Sequence, residues 1–94
     1  MTALDIKQTL EKIFVDDGTY IEVKDDSHQH VGHREAPPDG GSHFTVIIIS
    51  PVFKSLSRVK RHQLIYKTLH DALNQGVHAL AIKAMTPDEA KTNI

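Results

Sequence analysis

The chain has 94 residues, with eleven Lys and Arg against twelve Asp and Glu, seven His and no Cys, and a formal net charge of −1. A chain of this length forms one domain, residues 1–94, and buries roughly 60–65% of its unfolded surface, enough for a single modest core. The near-neutral balance excludes a global field that would draw nucleic acid or anionic membrane to the molecule, and the missing cysteine excludes disulfides, thiolate catalysis and cysteine-ligated zinc.

The opening MTALDIKQTL has neither a basic leader before an apolar run nor a small-residue cleavage site, and no stretch approaches a bilayer span, which predicts a cytoplasmic protein with no membrane partner. Thr2 followed by Asp5 fits a capping box, and Ile6, Leu10, Ile13 and Phe14 recur at helical spacing until Asp17-Gly18 stops the pattern. Tyr20 to Lys24 alternates, with Ile21 and Val23 on one face, as a half-buried strand does. From Asp25 to Ser42 no apolar period survives, and Pro37-Pro38-Asp39-Gly40-Gly41 carries turn chemistry. A loop of that length in so small a domain is functional or disordered.

Phe44 to Ile49 is almost wholly apolar and β-branched, which suits a strand that is central or covered on both faces. Pro51 ends it. Ser55 and Ser57 offer N-caps for a second helix through Asn74, with Ile65, Leu69, Ala72 and Leu73 as its apolar stripe and Gly76 at the C′ position. Ala79 to Ala84 forms a third strand with Leu80 and Ile82 inward, and Thr86-Pro87-Asp88-Glu89 opens a short closing helix. The order αββαβα describes an α+β domain with helices on one face of a mixed three-stranded sheet.

That order has a functional consequence. A strand, helix, strand segment from Phe44 to Ala84 is a right-handed crossover with parallel strands, while the long loop joins the first two strands antiparallel. The end of the first strand and the starts of the other two then share one edge of the sheet, bringing His78 towards the loop histidines. Four of the seven histidines, His28, His30, His33 and His43, fall in or beside that loop. Histidine is the commonest protein metal ligand and titrates near neutrality, so this crowding points to binding.

Several separated segments share one wording: Asp25-Asp26-Ser27-His28-Gln29-His30, Ser42-His43-Phe44, Arg61-His62-Gln63-Leu64-Ile65-Tyr66, and Val77-His78-Ala79-Leu80-Ala81-Ile82-Lys83 with Thr86-Pro87 behind. Together, from about Val23 to Glu89, they resemble the BolA family, whose fold is similar to a class II KH domain with a mixed three-stranded sheet. The resemblance implies a partner-binding protein rather than an enzyme. Its implied partner is a monothiol glutaredoxin, with a [2Fe–2S] cluster shared between the two proteins and glutathione, in iron–sulfur trafficking or iron and redox regulation.

Carried over by position, His78 matches a family cluster ligand. The second ligand lies in the loop after the first strand, where the Ser-x-x-His pattern selects His30 and His33 is close enough to compete; His28 and His43 are surface or strand-edge residues. Imidazoles can replace thiolates on one iron of such a cluster, and a cysteine-free chain supplies only part of the ligand set. The isolated chain is then expected to hold no cluster and to be a monomer or weak homodimer.

Two other functions compete. Lys54, Arg58, Lys60, Arg61 and Lys67 make the region around the second helix locally basic, which would serve a DNA-binding transcriptional regulator; the chain has no GXXG loop of the kind KH domains use. The family's Phe-x-Gly and Arg-His-Arg patterns read Phe53-Lys54-Ser55 and Arg61-His62-Gln63 here, departures in the segment that DNA binding would use. His28-x-His30-x-x-His33 is also a candidate for a zinc or copper site of its own, although its spacing matches no standard cage.

Overall fold

The computed structural model describes residues 2–26, 43–77 and 79–92. Helix α1 (Ala3–Ile13) begins on the expected capping box: the Thr2 N–H donates to Asp5 Oδ2 at 2.9 Å and the Asp5 N–H to Thr2 Oγ1 at 3.2 Å. The Thr2 backbone N–H, helped by its side chain, holds the Asp5 carboxyl below the usual carboxylate range. Ile6 and Leu10 are buried, and at Phe14 the chain leaves the helix and turns the ring into the core. Ile13, expected on the same stripe, is 55% exposed, because Phe14 takes the inward position beside it.

Strand β1 (Tyr20–Asp25) follows a turn in which Gly18 adopts φ +82°, a conformation costly for any residue with a Cβ. It pairs antiparallel with β2 (His43–Ile49), and β2 pairs parallel with β3 (Ala79–Met85), giving the order β1-β2-β3. The apolar run of β2 reflects its central place rather than cover on both faces. Phe44, Val46 and Ile48 are fully buried, whereas Thr45, Ile47 and Ile49 are only half-buried on the opposite face.

The segment between β2 and β3 departs from the single helix expected to run through Asn74. Ser50 is fully buried: its N–H reaches Met85 O at 2.9 Å, its hydroxyl pairs with Thr19 Oγ1 at 2.9 Å, and the same oxygen caps a 3₁₀ turn (Pro51–Ser55). Ser57, not Ser55, caps α2 (Arg58–Thr68), accepting from the Lys60 N–H at 3.2 Å. Thr68 then donates its hydroxyl to Leu64 O at 2.8 Å, a back-bond that bends helices. The helix is interrupted at Leu69 and resumes as the short α3 (His70–Leu73). Gly76 at φ +96° completes the exit, as its C′ position requires.

The core gathers Ile6, Leu10 and Phe14 against Ile21, Phe44, Val46 and Ile48, with Phe53, Ile65, Leu69 and Val77 closing it. All helical contributions lie on one face of the sheet. Phe53 touches the Phe14 ring, 5.6 Å between centroids at 55°, and so joins the end of α1 to the 3₁₀ turn. Helix α2 also covers β3, with Tyr66 Oη donating to Leu80 O at 3.4 Å and Arg61 Nη1 to Ala84 O at 3.2 Å. The last helix, α4 (Pro87–Thr92), starts on the expected Thr86 and Glu89 capping box.

Truncating Phe53 removes a fully buried aromatic at the meeting point of three elements. Phe53→Ala is expected to lower unfolding free energy by about 3–5 kcal/mol, read from the urea midpoint at unchanged slope.

Candidate functional site

The sheet register brings three chain segments together at one end. Asp25 stands opposite Phe44, and His43 stands beside Ala79. The Asp26 N–H continues the ladder to His43 O at 2.8 Å, and Thr45 Oγ1 donates to the Asp26 carboxylate. The two ends of the long loop and the start of β3 therefore meet, as the parallel crossover required. The predicted cluster ligands His30, His33 and His78 lie outside the described residues, as does His28. Among the described residues no group of three or more His, Cys, Asp or Glu is placed to hold a metal ion. His43 is partly buried at the strand edge, His62 is exposed on α2, and His70 Nε2 lies 3.3 Å from Asn74 Nδ2.

The basic set divides. Lys54, Arg58 and Lys60 are exposed, consistent with a surface role. Arg61, expected with them as a nucleic-acid contact, turns inward and is only 6% exposed. Its Nε donates to Phe53 O at 3.1 Å and Leu56 O at 3.0 Å, and Nη1 donates to Ala84 O. Nη1 and Nη2 then meet the Glu89 carboxylate at 2.6 and 3.4 Å. The guanidinium also sits 5.8 Å from the Phe53 ring centroid. With these bonds made and the side chain buried, Arg61 is structural and is not presented to a phosphate outside. The missed signal is its spacing: Arg61, Ile65 and Leu69 fall four residues apart on the inward stripe of α2.

Glu89 carries two duties. It caps α4 through the Thr86 N–H at 2.8 Å and receives Arg61. The Arg61 hydrogen bond first, then the Thr86 N–H, lower its pKa from 4.5 to about 2, with the charges of Arg61 and Arg58 adding to the effect. No helix among the described residues is long and apolar enough to cross a membrane.

The mixed three-stranded sheet, its one-sided helical cover and the order of elements define a small α+β module. The family profile described as BolA-like protein matches residues 10–89, and the chain belongs to the BolA family. It is 47% identical over 88 residues to SufE-like protein 1, chloroplastic/mitochondrial, of Arabidopsis thaliana, covering 89% of this chain but only 23% of that protein. It is 37% identical over 86 residues to the DNA-binding transcriptional regulator BolA of Haemophilus influenzae, covering 92% of this chain and 78% of that one. The solved BolA domain of SufE1 from Arabidopsis thaliana superposes with a TM-score of 0.76 at 45% identity, covering 93% of each chain.

A depressed folded-state pKa means that Glu89 stabilises the fold above its unfolded value, and that this contribution is lost as pH falls through the folded one. The difference in thermal midpoint between the parent and Glu89→Gln should therefore be full near pH 6 and close progressively from pH 4.5 towards about 2. Arg61→Ala removes the hydrogen bonds to three carbonyls and to Glu89, Phe53 O keeping the Leu56 N–H, and is expected to cost about 2–4 kcal/mol in chemical denaturation, with Arg61→Lys recovering only part because an ammonium lacks the planar fork.

Proposed function

We propose that this chain is a non-enzymatic adaptor that binds a monothiol glutaredoxin and co-ligates a [2Fe–2S] cluster through His78 and one loop histidine, His30 or His33. The observation that carries the proposal is the meeting of Asp26, His43 and Ala79 at one end of the sheet. The loop holding His30 and His33 joins the first two of these residues, and His78 directly precedes the third. Family membership supports the same assignment. The donor set fits: imidazoles can take two positions on one iron, and the absence of cysteine leaves the thiolate positions to glutaredoxin and glutathione. His78 directly precedes a strand, whereas His30 and His33 belong to a long connection in which neighbours can substitute for each other.

Mixing the chain with its own organism's glutaredoxin, glutathione, iron and sulfide is expected to give a co-eluting complex with a visible circular dichroism signal, and the chain alone none. His78→Ala should abolish that signal, whereas His30→Ala and His33→Ala should each weaken it in part. A stoichiometric cluster on the isolated chain, or an unchanged spectrum for folded His78→Ala, would rule the assignment out.

The Haemophilus influenzae relative, a DNA-binding transcriptional regulator, favours a second reading, transcriptional regulation through DNA contact. On this chain that reading rests on Lys54, Arg58 and Lys60, Arg61 being structural. Three phosphate contacts would give a salt slope of about 3 in the logarithm of affinity. Weak, non-specific binding is expected; a footprint at physiological salt that Arg58→Ala with Lys60→Ala abolishes would make this the principal function.

A further inference from the structure

Where the first turns of α2 meet the end of β3 and the start of α4, the surface folds into a cleft of about 520 Å³, within the range of small-molecule sites. Its lining combines the apolar Ile47, Ala84 and Met85 with Arg58, His62, Lys83 and Glu89. Arg58 and His62 are one helical turn apart on α2, and Lys83 stands beside Ile47 in the parallel ladder.

The charge balance of the cleft is uneven. Glu89 is the one carboxylate lining it, and both its oxygens are engaged by Arg61 from the core side. Among the described residues neither Arg58 nor Lys83 has an ion-pair partner, since the ion pairs are Lys24 with Glu22 and Arg61 with Glu89. Two permanent cations and an imidazole thus face an opening whose acid is already neutralised. A monocarboxylate would leave one of the two cations unbalanced, whereas a phosphomonoester carries about −1.5 to −2 charge near neutrality and three acceptor oxygens. Arg offers a planar fork for two of those oxygens, and Lys a point charge for the third. The apolar side chains of Ile47 and Met85 suit a ring or other low-polarity body attached to the phosphate.

We propose that this cleft is a binding site for a phosphomonoester with an apolar or ring-bearing body, held by Arg58 and Lys83, with His62 completing the anion's shell and Ile47 and Met85 against the body. Cluster sharing neither requires nor supplies this group. The phosphate has two chemical sources, a free mononucleotide or the 5′-terminal phosphate of a nucleic-acid strand.

The test is a titration of the full chain followed by amide nuclear magnetic resonance, using adenosine monophosphate, adenosine, and short single strands with and without a 5′-phosphate. Shifts are expected at Arg58, His62 and Lys83 to Met85 with the monophosphate or with the phosphorylated strand, and the tighter of the two names the source. Arg58→Gln with Lys83→Gln should weaken that binding about tenfold or more, whereas Lys67→Gln should leave it unchanged. All three side chains are exposed, so the variants should keep the parent far-ultraviolet spectrum. Equal binding of adenosine, equal binding of the unphosphorylated strand, shifts spread over Lys7, Lys12 and Lys67, or full affinity in the double variant would each overturn the proposal.

Discussion

The buried guanidinium of Arg61 ties together the parts of this fold that have little apolar surface of their own. The 3₁₀ turn is five residues long and α4 six, too short to persist as isolated helices. Arg61 bonds the carbonyls of Phe53 and Leu56 at the end of the turn, Ala84 at the end of β3, and Glu89 in the first turn of α4. A buried charge is costly unless every donor finds an acceptor, and among the described residues no buried side-chain nitrogen or oxygen lacks a partner. Arginine suits the position because a planar fork meets several acceptors in fixed directions, which a lysine ammonium does not.

The same interaction sets the electrostatics of the surface above it. Because Arg61 engages the Glu89 carboxylate, Arg58 and Lys83 line the cleft without an ion-pair partner among the described residues, and Arg58 acts on Glu89 only through its charge. One inward arginine thus leaves an outward positive site. This is a different location from the sheet end where Asp26, His43 and Ala79 converge, so the domain carries two surfaces of different chemistry, one flanked by histidine-bearing sequence and one lined by cations.

The asymmetric sheet explains how both surfaces are available. Helices cover the face carrying Phe44, Val46 and Ile48, while the face carrying Thr45, Ile47 and Ile49 is half-open. A parallel β2–β3 pair requires a crossover, and that crossover places α2 against β3, where Tyr66 and Arg61 cap strand carbonyls at Leu80 and Ala84. The antiparallel β1–β2 pair needs only a loop, which leaves the opposite end of the sheet to the long histidine-rich connection.

Local chemistry was legible in the sequence wherever a feature depends on neighbours within about four positions. Both capping boxes, the positive-φ glycines 18 and 76, the alternation of β1 and β3 and the central β2 all follow from residues whose roles are fixed by nearby backbone, and the separated BolA-like segments carried the family. Tertiary structure decided what depends on distant partners. Arg61 looked like one more surface cation until carbonyls from two other elements and a carboxylate twenty-eight residues away enclosed it. Ser50 and the 3₁₀ turn took their form from Thr19 and Met85, and Ile13 lost its place in the core to Phe14. A charge pattern along a chain records which groups are present; whether each faces water or a buried acceptor is settled only when the elements pack.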